Sequence, residues 1–124
     1  MTSDDIRDIY GIEDERSFNS AYLLLTIFKR VDKQNLFTKN VVVVDHRAQT
    51  HQQAWDNFHD QHWPKSAWNE GWRKTCPGGG YISFNSHAKS ITIYGESGSY
   101  RKADYELTAG ILRNHFSLCA IVIL

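Results

Sequence analysis

The sequence is poor in the residues that divide a chain or send it to a special place. Only two prolines, Pro64 and Pro77, interrupt 124 residues. There is no internal repeat or low-complexity tract, so one domain over residues 1–124 is expected. Cysteine is scarce as well. Cys76 and Cys119 stand far apart without C-x-x-C spacing, which points to two free thiols in a cytoplasmic protein. Charge of one sign is not in excess, because 14 basic residues balance 14 acidic ones. No net field therefore recruits nucleic acid or an anionic membrane, and any anion site must be local. The longest apolar stretch, residues 119–124, is too short to span a bilayer, and the acidic residues 1–5 are not a basic-then-apolar leader. What is present suffices for a core: 41% hydrophobic and 13% aromatic residues lie well outside the composition of disorder.

Hydrophobic periodicity predicts an α+β domain. Residues 22–28 (YLLLTIF) and the four valines 41–44 read as strands buried on both faces, with residues 29–40 as a long connection between them. From Thr50 the period becomes helical: Ala54, Trp55, Phe58 and His62 share one side of an amphipathic helix ending near Pro64. Trp63, Trp68 and Trp72 follow in a polar setting and are expected to cover an edge of the core. Residues 76–80 read as a turn, residues 81–84 and 90–94 as hairpin-linked strands, and residues 119–124 as a last strand. A second helix is expected to follow Ser99 as its N-cap, with Tyr100, Ala103, Leu107, Gly110 and Ile111 on one face.

Two places could carry chemistry. Gly95-Glu96-Ser97-Gly98-Ser99 lies between a strand end and a helix start. There the backbone N–H groups of a helix N-terminus, two permissive glycines and two hydroxyls suit a phosphate, and an ordinary capped turn is the alternative. This run lacks the final glycine of G-x-S-x-G, and Gly78-Gly79-Gly80 lacks the Lys-Ser/Thr ending of a Walker loop and reads as a flexible turn. The other place is the histidines, of which His46, His51, His59 and His62 crowd into seventeen positions. His59 and His62 stand one helical turn apart and could share a metal with His51 or Cys76, or could simply be polar residues of a solvated helix. No H-E-x-x-H pattern is present, and no metal is expected. His51 differs from these two because it falls where a strand gives way to a helix, at a rim where a side chain can face a ligand.

Gly78-Gly79-Gly80-Tyr81-Ile82-Ser83, then Ile91-Thr92-Ile93-Tyr94-Gly95-Glu96-Ser97 and Tyr100, resemble the Janus/Ocnus family of small protein histidine phosphatases. The family pattern runs C-x-G-G-G-x-I, a hairpin, I-x-V-Y-G-x-S and a tyrosine before the last helix. Ala48-Gln49-Thr50-His51 with Trp55-Asp56 is similar to its A-x-x-H-x-x-x-aromatic-D segment. The resemblance covers residues 39–116, with a weaker match at 22–27. It implies a six-stranded mixed sheet flanked by two helices and hydrolysis of the P–N bond of phosphohistidine on proteins. It further implies His51 as catalytic residue, Ser97, Gly98 and Ser99 as phosphate-binding turn, and no cofactor. The partners implied are histidine-phosphorylated proteins, with the chain acting as a monomer. Two basic residues of the family are replaced here by Ala21 and Tyr81. Arg101 is the first candidate to compensate, with Lys102, Arg73 and Lys74 behind it; without compensation, a weak enzyme or a phosphate-binding module is expected.

Overall fold

The computed structural model describes residues 1–14 and 16–124. In chain order the elements are β1 (Ile9–Tyr10), β2 (Phe18–Arg30), β3 (Leu36–Val44), α1 (His51–His62), β4 (Trp72–Asn85), β5 (Ser90–Tyr94), α2 (Tyr105–His115) and β6 (Ala120–Ile123). The strands form one mixed sheet in the order β1-β3-β2-β4-β5-β6. The β1–β3 and β5–β6 pairs are parallel and the others antiparallel. The architecture is α+β, with one helix on each face.

The apolar run of β2 follows from this layering, because successive side chains leave a strand on opposite faces. Tyr22 and Leu24 pack with Val42, Val44, Ile82, Ile93 and the Tyr105, Ala109 and Leu112 side chains of α2. Leu23, Leu25 and Ile27 pack with Val41, Val43 and the Ala54 and Phe58 side chains of α1. Both faces of the central strands are dry, so polar alternation disappears there. Tyr22 is fully buried, and its hydroxyl is within 3.1 Å of the Thr108 hydroxyl on α2. Burial pushes its pKa well above that of a free phenol.

The sheet extends further than periodicity suggests. Residues 29–40 are mostly strand: Lys29 pairs with Phe37 and Arg30 with Leu36, leaving a short turn closed by the Val31 N–H donating to the Asn35 carbonyl. The Asp32 carboxylate accepts from the Gln34 and Asn35 amides in the same turn. This end of the hairpin meets water on much of its surface, so the ladder holds it without an apolar pattern. β1 is two residues long, too short to leave a signal in sequence. Residues 76–80 are not a turn but the middle of β4, with Gly78, Gly79 and Gly80 paired to Leu24, Leu23 and Tyr22 of β2. The second helix begins at Tyr105, not after Ser99. Its N-cap is Asp104, whose carboxylate accepts from the Leu107 amide at 3.1 Å.

No helix among the described residues is long and apolar enough to cross a membrane. The sheet face under α1 is only half covered. Beyond the start of α1, Asn19 pairs with Ser83 and Ser83 with Thr92, while Ala21 pairs with Tyr81 and Tyr81 with Tyr94. All six side chains are uncharged, and all are exposed or half-buried.

Candidate active site

Three consecutive glycines in a buried strand need a steric reason, and each has one. A Cβ on Gly78 would lie 2.6 Å from the Ala103 Cα, and one on Gly80 2.9 Å from the Tyr22 ring. Beside Gly79 the chain returns from residue 101: the Gly79 N–H donates to the Arg101 carbonyl at 2.8 Å, and the Ala103 N–H donates to the Gly79 carbonyl at 3.1 Å. A Cβ on Gly79 would stand 2.8 Å from the His51 Cδ2 and 3.2 Å from the Ser97 Cβ. The missing methyl of Gly79 is therefore the point at which His51 and Ser97 converge, although they are 46 positions apart in the chain.

His51 is the first residue of α1, whose N-cap Thr50 accepts from the Gln53 amide. Its side chain is 4% exposed, and Nε2 lies 2.9 Å from the Gly80 carbonyl oxygen. A carbonyl only accepts, so Nε2 carries the proton, and in the neutral ring Nδ1 carries the lone pair. Nδ1 makes no hydrogen bond among the described residues, yet no buried side-chain nitrogen or oxygen there lacks a partner. The ring thus opens to solvent at Nδ1. The positive end of the α1 dipole lies at the same place. Tyr81 stands edge-on to His51, with centroids 5.2 Å apart.

The turn opposite is organised by Ser97, 7% exposed, whose Oγ accepts from the Ser99 and Tyr100 amides at 3.1 and 2.9 Å. Of the three amides expected to hold phosphate, that of Ser99 is committed inside the turn. Those of Ser97 and Gly98 have no partner among the described residues. Above Gly98 the space is open, with no atom within 4 Å of the place a methyl would take. The turn does not cap a helix, since α2 starts six residues after Ser99. The helix N-terminus at the site is that of α1.

The family model for Janus/Ocnus matches residues 8–120. The chain belongs to the Janus/Ocnus family. No curated protein matches it.

Within this Janus/Ocnus fold the positions of the missing charges become concrete. Ala21 and Tyr81, where the resemblance implies basic residues, are directly opposite each other on β2 and β4. Of the four basic residues expected to compensate, three are engaged elsewhere. The Lys74 Nζ sits 3.8 Å over the Trp55 ring, Arg73 lies 3.2 Å over Trp68, and Lys102 lies 4.6 Å over Tyr105. Burial lowers the pKa of Lys74, and Asp56 opposes the shift. Arg101 is exposed and next to the turn, and its guanidinium has neither a ring nor a carboxylate partner among the described residues.

Among the described residues no three His, Cys, Asp or Glu side chains cluster. The ring of His62 packs against Tyr10 and Phe58 at centroid distances of 4.9 and 5.5 Å. The Cys76 thiol donates to the Gly78 carbonyl, and burial pushes its pKa up to about 11, so it offers no thiolate near neutrality. Trp72, expected at an edge, is 3% exposed and part of the core, whereas Trp68 is 64% exposed. A hollow of about 540 Å³ between Tyr10, Val44, His46 and His62 includes neither His51 nor residues 97–99.

Proposed function

We propose that this chain is a metal-independent protein histidine phosphatase acting on histidine-phosphorylated proteins of the cytoplasm. The observation that carries the reading is the Nε2–H bond of His51 to the Gly80 carbonyl, which leaves Nδ1 as a base open to solvent at the start of α1. In the proposed reaction Nδ1 takes a proton from water as the water oxygen bonds to phosphorus. The P–N bond breaks, its electron pair stays on the departing ring nitrogen, and that nitrogen takes a proton from solvent. The Ser97 and Gly98 amides and the first turn of α1 stabilise the phosphoryl oxygens. Arg101, exposed and next to the turn, supplies a positive charge with neither a ring nor a carboxylate partner among the described residues.

The test is hydrolysis of phosphohistidine by the purified protein in excess EDTA. His51→Ala is expected to lower kcat by at least about 100-fold, the scale of a general base. Full turnover in that variant removes the assignment. A second reading, a phosphate- or phosphopeptide-binding module of weak or no activity, is favoured by the adjacent Ala21 and Tyr81. Losing a charge-assisted contact to a dianion costs on the order of 1.5 to 3 kcal/mol. Calorimetric titration with a phosphopeptide beside the turnover assay separates the two readings: binding without product release selects the module.

A further inference from the structure

We infer that Tyr81 is a specificity-determining residue, a ring platform that favours phosphoramidates whose nitrogen belongs to an aromatic ring over those of an acyclic nitrogen. The inference rests on the phosphatase reading of His51. It starts from a row of three rings on the open half of the sheet face. Tyr94 stacks on Tyr81 with centroids 5.7 Å apart and planes 24° from parallel, and Tyr81 meets His51 edge-on at 5.2 Å. The row is fixed at both ends. The Tyr94 hydroxyl donates to the Asn19 Oδ1 at 2.6 Å, and the His51 ring is held by Gly80. Gly95 has φ +70°, and a Cβ there would stand 2.7 Å from the Tyr81 Cδ2, so glycine is what lets the Tyr81 ring settle at this place.

The Tyr81 ring is half-buried, and its hydroxyl has no partner among the described residues. Its neighbour across the ladder is Ala21, too short to reach over it. The other ladder neighbours on this part of the face, Asn19, Ser83 and Thr92, are uncharged. A substrate whose phosphoryl group sits at His51 and Ser97 therefore meets rings rather than cations beside its leaving group. An imidazole offers edges and faces that pair with a phenol ring, whereas ammonia offers none. Holding Tyr81 in a preset orientation lowers the ordering cost of that contact.

The experiment compares kcat/KM for N-phosphoimidazole and for phosphoramidate in the wild type, Tyr81→Phe, Tyr81→Leu and Tyr81→Ala. Differences in intrinsic reactivity cancel when the ratio of the two substrates is compared between proteins. The ratio is expected to fall about threefold to tenfold in Tyr81→Ala and Tyr81→Leu, the range of one aromatic pair, and to hold in Tyr81→Phe. Tyr81→Leu keeps bulk on the strand and decides the matter if Tyr81→Ala does not fold. A ratio unchanged in every variant, with turnover intact, overturns the role of Tyr81 and leaves the phosphatase reading standing. If the wild type turns over neither compound, the phosphatase reading fails, and the same two compounds are titrated as ligands. Tighter binding of N-phosphoimidazole, lost in Tyr81→Leu, then still supports the platform, and equal binding overturns it.

Discussion

The sheet face packed by α2 and the face packed by α1 are built from the same strands and used differently. On the α2 side the apolar residues run from Ile9 through Tyr22, Leu24 and Ile82 to Ile91 and Ile93, and Ile121 and Ile123 continue the layer to the far edge. On the α1 side apolar packing stops at Leu23. Past it the face carries Ala21, Asn19, Tyr81, Ser83, Thr92 and Tyr94 and meets solvent. His51 sits on the border, where the helix begins and the open surface starts. A dry layer on one side fixes the strands, so the other side can leave polar atoms exposed for chemistry without endangering the fold.

Stability measurements can break this comparison most sharply. Phe58→Ala under α1 and Leu112→Ala on α2 both empty packed space, since these side chains are 2% and 0% exposed. Each is expected to cost about 2 to 5 kcal/mol in urea denaturation. Thr92→Ala, on the open half, is expected to stay within about 0.5 kcal/mol. A Thr92→Ala penalty equal to that of Phe58→Ala means the open half is covered in solution.

The border itself is tested by glycine substitutions. Gly79→Ala places a methyl 2.8 Å from the His51 ring and 3.0 Å from the Tyr22 carbonyl, so the ring must leave Gly80. An overpacking cost of about 1 to 3 kcal/mol is expected, together with loss of turnover. Gly98→Ala meets no atom within 4 Å and stands at no positive φ. Its denaturation midpoint is expected to hold or to rise slightly, because alanine narrows the unfolded ensemble. Equal destabilisation by the two substitutions contradicts the placement of His51 against Gly79.

These two glycines also show where sequence reasoning stopped. The strands at 22–28 and 90–94, the helix after Thr50 and the last strand were legible because their apolar periods are set by burial on known faces. The place of His51 at the start of a helix is legible from the change of period around it, whereas its burial is not. Gly79 is not legible, because a triple glycine is the same string whether it frees a turn or admits a neighbour, and only the chain returning at residues 101–103 decides between them. The start of α2 is hidden from the sequence for a related reason. The Ser97 hydroxyl caps its own turn, and Asp104, five residues on from Ser99, takes the capping role expected of Ser99. The Gly80 carbonyl that sets the His51 tautomer is a backbone atom, so no side-chain motif announces it.

The turn offers a smaller effect. Ser97→Ala deletes the acceptor of two backbone amides while leaving the main chain its course. A loss of about 1 to 2 kcal/mol is expected, and the freed Ser99 amide becomes available to an anion. Phosphate affinity measured by titration is therefore expected to fall less than stability does. A large loss of phosphate binding with unchanged stability places the Ser97 hydroxyl on the ligand instead of in the turn.

The smallest expected effect is the pH dependence of stability, to which the covered half contributes through His62. Burial against Tyr10 and Phe58 lowers the pKa of His62 below its ordinary 6.5; Arg7 adds to the shift, while Glu13 and Asp45 oppose it. A base whose folded pKa is depressed is protonated more readily when unfolded, so its contribution is complete above pH 6.5 and is lost as the pH falls through the folded value. Asp8 acts in a separate, more acidic window. Hydrogen bonds from Lys39 and His115 hold its carboxyl below 3.8, and its contribution is lost as pH falls through that depressed value. The urea midpoint of the wild type is thus expected to decline in two stages. His62→Phe, which keeps a ring against Tyr10 and Phe58, is expected to flatten the first stage and leave the second. If the decline just below pH 6.5 persists unchanged in His62→Phe, the helix end is not where that proton is taken up, and a histidine of the open half must be tested in its place.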